Sequence, residues 1–138
     1  MAYYNKIALL ILNDDQTKFL VCEKDPSNVT SDYIMPGGQF QEATEVETLK
    51  AEIKEELNCE VDLNSLVYVN EYTDIAAGKS DRDVSIKLYV GKIIGEPKAS
   101  TEVKNIHWID KSYITNPKTS PIIRNKIIPD LLKRGLLN

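Results

Sequence analysis

Residues 49–58 of the chain read Leu-Lys-Ala-Glu-Ile-Lys-Glu-Glu-Leu-Asn. Glu52, Glu55 and Glu56 stand three and four positions apart, a spacing that stacks them on one face of a helix. Like charges placed this way weaken an isolated helix by about 0.2–0.5 kcal/mol per pair. Such a face is either simply solvated or holds a cation. The fitting cation is a hard divalent ion: Mg²⁺ takes oxygen ligands and is commonly held by one or two carboxylates together with substrate phosphates. Just upstream lies Pro36-Gly37-Gly38, where the backbone can bend sharply and approach a ligand closely. Arg82, in "KSDRD", carries a guanidinium able to meet a phosphate, against the plainer reading of a surface arginine. Tyr33, Phe40 and Tyr72 present faces on which a base can stack, against the plainer reading of packed aromatics. The sole histidine, His107, and its neighbour Trp108 read as structural.

The elements around these residues follow from pattern. Thr44 and Glu47 form a T-x-x-E capping box, and Val46, Leu49, Ile53 and Leu57 make an apolar stripe. Asn58 stands where helices often end in the left-handed conformation. Glu45, Glu52, Glu55 and Glu56 flank that stripe, while Lys50 and Lys54 fall on the far side. The acids are thus segregated from the lysines that would neutralise them. Upstream, "KIALLILN" and "TKFLVCEK" predict a β-hairpin turned by "DDQ", followed by the polar loop "DPSNVTSD" and a short strand in "YIMPGGQF". Downstream, "NSLVYVNEYTDI" and "DVSIKLYVGKII" predict long strands joined by the loop "AAGKSDRD". "PKASTEVKN" reads as a polar connection and "IHWID" as a short strand. "SPIIRNKIIPDLLKRGLL" reads as a closing helix capped by Ser120, with Pro121 at its first position and Pro129 as a kink or restart. Strands, helix, strands, helix argue an α+β fold with a mixed sheet.

The 138 residues suit one domain, residues 1–138, with a real core. A net charge of −4 opposes binding of extended nucleic acid. The N-terminal apolar run is too short for a signal or a membrane span and reads as a first buried strand. Cys22 and Cys59 match no metal or redox spacing and read as reduced thiols of a cytoplasmic protein.

The stretch "PGGQFQEATEVETLKAEIKEELNCEV" resembles a Nudix box, whose pattern is G-x5-E-x7-R-E-U-x-E-E-x-G-U with U apolar. Glu52, Ile53, Glu55 and Glu56 take the E-U-x-E-E places, and Pro36-Gly37-Gly38 takes the opening turn. The resemblance extends over nearly the whole chain and implies a Nudix-like α/β/α sandwich with a mixed β-sheet between helices. It also implies a metal-dependent hydrolase cleaving a diphosphate linkage in a nucleoside diphosphate derivative. A nucleoside triphosphate is the first expectation, ADP-ribose or a nucleotide sugar the second. Mg²⁺ is the expected ion, with Mn²⁺ also suited. Its ligands would be Glu52 and Glu56, with Glu55 assisting and the Gly38 carbonyl adding an oxygen. Glu52, Glu55 and Glu102 are the expected catalytic carboxylates. Gly37, Gly38, Lys24, Tyr33, Phe40 and Arg82 are the expected substrate contacts, and a homodimer is the implied assembly.

The pattern is not intact. The box arginine falls at Ala51 and the earlier glutamate at Ala43, with Glu42 able to serve by a shifted loop. The box glycine is Asn58, which tolerates the same backbone conformation. Alanine has no donor to orient a glutamate as the arginine does. These departures keep a second class open, a nucleotide-binding or regulatory module with little or no turnover. A third, an interaction protein with an acidic helix, predicts no metal affinity.

Overall fold

The computed structural model describes residues 2–24, 33–41, 44–100 and 103–138. Its strands are β1 (Tyr4–Leu10), β2 (Lys18–Lys24), β3 (Tyr33–Ile34), β4 (Gly37–Gln39), β5 (Glu60–Ala76), β6 (Lys79–Ile94) and β7 (Val103–Asp110). The helices are α1 (Glu45–Leu57), between β4 and β5, and α2 (Ile128–Arg134). β1, β4, β5 and β6 form a mixed sheet in the order β4-β1-β6-β5, in which β1 runs parallel to β6. β3, β2 and β7 form a second, antiparallel sheet.

The expected β1–β2 hairpin holds only next to its turn. There Asn13 N–H donates to the Lys18 carbonyl and Leu20 N–H to the Ile11 carbonyl, each at 3.0 Å. Beyond Leu12 the strands part, because β1 is claimed by β4 and β6 while β2 is claimed by β3 and β7. Alternation along β1 then serves two cores. Ile7, Leu9 and Ile11 face Leu49, Ile53 and Leu57 of α1, whereas Ala8 and Leu10 pack with Ile127, Ile128 and Leu131 at the C-terminal helix. Burial of each α1 side chain of that stripe is worth about 1.5–3 kcal/mol.

The ends of α1 follow the expected chemistry. Thr44 Oγ1 accepts the Glu47 N–H at 3.1 Å, and Asn58 closes the helix at φ 57°. Three expectations are corrected. The loop predicted between β5 and β6 shrinks to Ala77-Gly78, because residues 79–83 continue β6, with Asp83 paired to Ile75 and Lys79 to Ala76. β7 begins at Val103 rather than at Ile106, since Val103 and Asn105 pair with β2. Ser120 does not cap with its hydroxyl, which is buried and has no hydrogen-bond partner among the described residues; its carbonyl instead accepts the Ile123 and Arg124 N–H groups. The helix then widens to a π segment, Ile123–Ile127, directly before Pro129. Proline has no N–H to offer the preceding turn. Gly135, at φ 76°, ends α2.

Candidate active site

β4 brings the glycine turn against β1, with Gly37 opposite Ala8 and Gly38 opposite Ile7. Gly37 sits at φ 146°, and a Cβ there would lie 2.1 Å from the Ile7 carbonyl oxygen, so only glycine fits. At Gly38 the obstruction differs. A Cβ would stand 2.3 Å from Glu52 Cδ and 2.5 and 2.7 Å from its two carboxylate oxygens. The Glu52 carboxylate therefore occupies the space that a side chain at position 38 would fill.

One turn further on, Glu56 is fully buried, and its Oε1 accepts the Gly37 N–H at 2.8 Å. A buried carboxylate is costly without such hydrogen bonds. Glu55, next in sequence, points to the exposed side of α1. The helix thus delivers two of the three acids to the glycine turn and leaves the third on its flank. Among the described residues no three His, Cys, Asp or Glu side chains gather closely enough to hold a metal ion by themselves. The described residues alone therefore form no closed carboxylate cage. Two carboxylates against a side-chain-free backbone nevertheless fit Mg²⁺, which keeps several waters and is completed by substrate phosphates.

A second cluster lies at the start of α1. Glu45 Oε1 accepts the Tyr89 hydroxyl at 2.7 Å and Glu45 Oε2 meets Lys87 Nζ at 2.9 Å. The Tyr89 hydroxyl, then Lys87, holds the Glu45 carboxyl below the usual carboxylate range. Burial first, then the nearby Glu45 carboxylate, pushes the Tyr89 phenol up to about 12. On the neighbouring strand Glu71 stands opposite Lys87 and accepts the Ser85 hydroxyl at 2.8 Å.

Comparison with protein-family models and with curated proteins finds no match. Solved structures do match over nearly the whole chain. MutT protein from Methanosarcina mazei Go1 superposes with a TM-score of 0.75 at 17% identity, covering 97% of this chain and 96% of that one. A NUDIX hydrolase from Nitrosomonas europaea gives 0.67 at 16%, covering 94% and 86%. The NUDIX domain of Shewanella oneidensis NrtR, solved with ADP ribose, gives 0.71 at 12%, covering 97% and 89%. This chain has the Nudix fold.

Within that Nudix fold the remaining predicted residues are scattered. Phe40, just past the glycine turn, is 48% exposed. Arg82 lies beside the start of β1, where its guanidinium donates to the Tyr4 hydroxyl at 2.8 Å and covers the Tyr3 ring at 4.5 Å. Tyr33 stacks on His107 with ring centroids 4.6 Å apart and has Lys118 Nζ 5.3 Å from its own centroid. The plainer reading of an aromatic holds for Tyr72, which is buried in the core with its hydroxyl donating to Asp130 at 2.6 Å. Lys24 ends β2, and its side chain lies outside the described residues, as do Glu102, Glu42 and Ala43. Ala51 is half-buried on α1.

Sequence reasoning passed over Lys87 and Tyr89. The available signal was a lysine inside "VSIKLYV": alternation puts Ser85, Lys87 and Tyr89 on one face of β6, the face that α1 covers. His107, read as structural, bridges to the buried Glu23 at 3.1 Å. Trp108, also read as structural, is 41% exposed. It lines a cleft of about 720 Å³ with Ile11, Gly91 and Pro97, and none of that cleft's lining belongs to β4 or α1. Among the described residues no helix is long and apolar enough to cross a membrane.

Proposed function

We propose that the chain hydrolyses a diphosphate linkage in a nucleoside diphosphate derivative, with Mg²⁺ or Mn²⁺ as the required ion. One observation carries the reading: the Glu52 carboxylate rests on Gly38 while Glu56 is pinned by the Gly37 N–H. Glycine at both positions lets the two acid groups sit against the backbone itself, where they would meet a phosphate-bound ion. Bound there, a divalent ion neutralises the diphosphate and lowers the pKa of a coordinated water.

The chain's own residues divide the work. Glu52 and Glu56 would hold the ion, with the Gly38 carbonyl adding an oxygen. Glu55, on the exposed flank, is the carboxylate open to a proton from the attacking water, with Glu102 as the alternative acid. Phe40 and Arg82 lie on the β4–β1 side, where a base and a phosphate would enter, and Lys24 and Tyr33 belong to the adjoining sheet. Nucleoside triphosphates are the first substrate class. ADP-ribose and nucleotide sugars are the second, supported by the ADP ribose bound to the Shewanella oneidensis domain.

The deciding experiment follows phosphate release from a nucleotide panel with Mg²⁺ or Mn²⁺, alongside nucleotide binding. Glu52→Gln should abolish cleavage while leaving the fold intact; undiminished metal-dependent cleavage in that variant overturns the proposal. Two departures from the motif favour a second reading, a nucleotide-binding module without turnover: Ala51 replaces its arginine and Ala43 its earlier glutamate. Binding without cleavage selects that module. A large rate gain in Ala51→Arg would then identify the missing guanidinium as the defect.

A further inference from the structure

We infer that Lys87 and Tyr89 are positioning residues that set the register of α1, and so place Glu52 over Gly38. The inference rests on the hydrolase reading above but concerns residues outside the motif. Pairing in the mixed sheet aligns Gly38 of β4, Ile7 of β1 and Lys87 of β6 in one row across three strands. Helix α1 meets that row along its length: Glu52 rests on Gly38, Leu49 and Ile53 cluster with Ile7, and Glu45 is held by Lys87. The distances agree. Seven residues from Glu45 to Glu52 rise about 10.5 Å along a helix, and two strand steps from Lys87 to Gly38 span about 9.6 Å.

The apolar stripe and the Glu56–Gly37 bond hold the middle and far end of the helix, which leaves its first turn the part with most freedom to slide or roll. Tyr89 removes that freedom, because it stands opposite Leu9, two residues along β6 from Lys87, and reaches the other oxygen of the same carboxylate. Glu45 is thereby gripped from two strand positions at once. Position 51, where the motif places its orienting arginine, carries a methyl group. Lys87 and Tyr89 supply from the sheet, through the helix start, the orientation that alanine cannot. Neither residue touches the reacting groups in this assignment; both act through Glu45 on Glu52.

The test uses the full chain with Lys87→Met and Tyr89→Phe combined, and three readouts. Mn²⁺ titrated alone should bind several-fold more weakly, short of the roughly tenfold or more that losing a hydrogen bond made directly to a metal ligand costs. In nucleotide hydrolysis kcat should fall with KM unchanged, and Lys87→Arg should behave as wild type because it keeps the ion pair. Hydrogen exchange of the Thr48 and Leu49 amides should quicken in the metal-free protein. A double variant equal to wild type in Mn²⁺ affinity and amide exchange overturns the inference. If wild type neither binds Mn²⁺ nor cleaves any nucleotide, the hydrolase reading fails instead, and amide exchange alone decides the register. Should the double variant not fold, Lys87→Gln and Tyr89→Phe separately carry the same three readouts.

Discussion

Gly38→Ala should cut activity about a hundredfold while sparing the fold. The added Cβ would stand 2.3 Å from Glu52 Cδ, where an ordinary contact is at least 3.4 Å. Gly38 has no left-handed backbone to defend, and the obstructing atoms are the far end of a flexible side chain. The carboxylate therefore swings aside by about 1 Å, a misplacement that costs on the order of 10²-fold in rate when a site depends on it. Stability changes little, because replacing glycine with alanine in a compatible conformation stabilises by about 0.4–1 kcal/mol, which offsets the residual crowding. Gly37→Ala is the contrast. Its Cβ would meet the Ile7 carbonyl oxygen at 2.1 Å, a backbone atom, at φ 146°. That variant should lose stability outright, on the order of 1–3 kcal/mol or more. The assay is thermal or urea unfolding of both variants beside metal-dependent nucleotide hydrolysis. A Gly38→Ala protein that folds and turns over at the wild-type rate would show that the carboxylate resting on Gly38 has no part in the chemistry.

Further expectations concern the supporting structure. Tyr72→Phe removes the hydroxyl that Asp130 accepts at 2.6 Å and should lower the unfolding free energy by about 1.5 kcal/mol, read from the urea midpoint at unchanged slope. Glu23 is buried, and His107, foremost, holds its carboxyl below the ordinary 4.5. A depressed folded value means that Glu23 stabilises fully above about pH 4.5 and loses that contribution as pH falls through the folded value. His107→Phe, which keeps a ring beside Tyr33, should therefore be less stable than wild type at pH 6. The gap should narrow as pH falls below 4.5 through the folded value, and a gap independent of pH would reject the assignment.

Local pattern made much of this protein legible. Helix α1, its Thr44 cap and its Asn58 end could be read because capping and 3.6-residue periodicity act within a few residues of one another. The acid segregation on α1 was equally visible, and so was the glycine turn. Partner choice was hidden. The hairpin of β1 and β2 was half right, since adjacent sequence favours pairing near the turn, while β4, β6, β3 and β7 compete for the same edges from far along the chain. The loop at residues 76–83 looked polar and irregular, yet the β5–β6 ladder runs through most of it.

The site divides in the same way. That the chain carries clustered carboxylates beside two glycines follows from the order of its residues alone, because side-chain chemistry and helical spacing are local properties. Which acids reach the glycines was a matter of packing: Glu56 is buried and bonded while Glu55 is exposed, although they are neighbours in sequence. The grip of Lys87 and Tyr89 on Glu45 spans more than forty residues. Such contacts depend on strand register, which long-range pairing sets, and no local pattern encodes it.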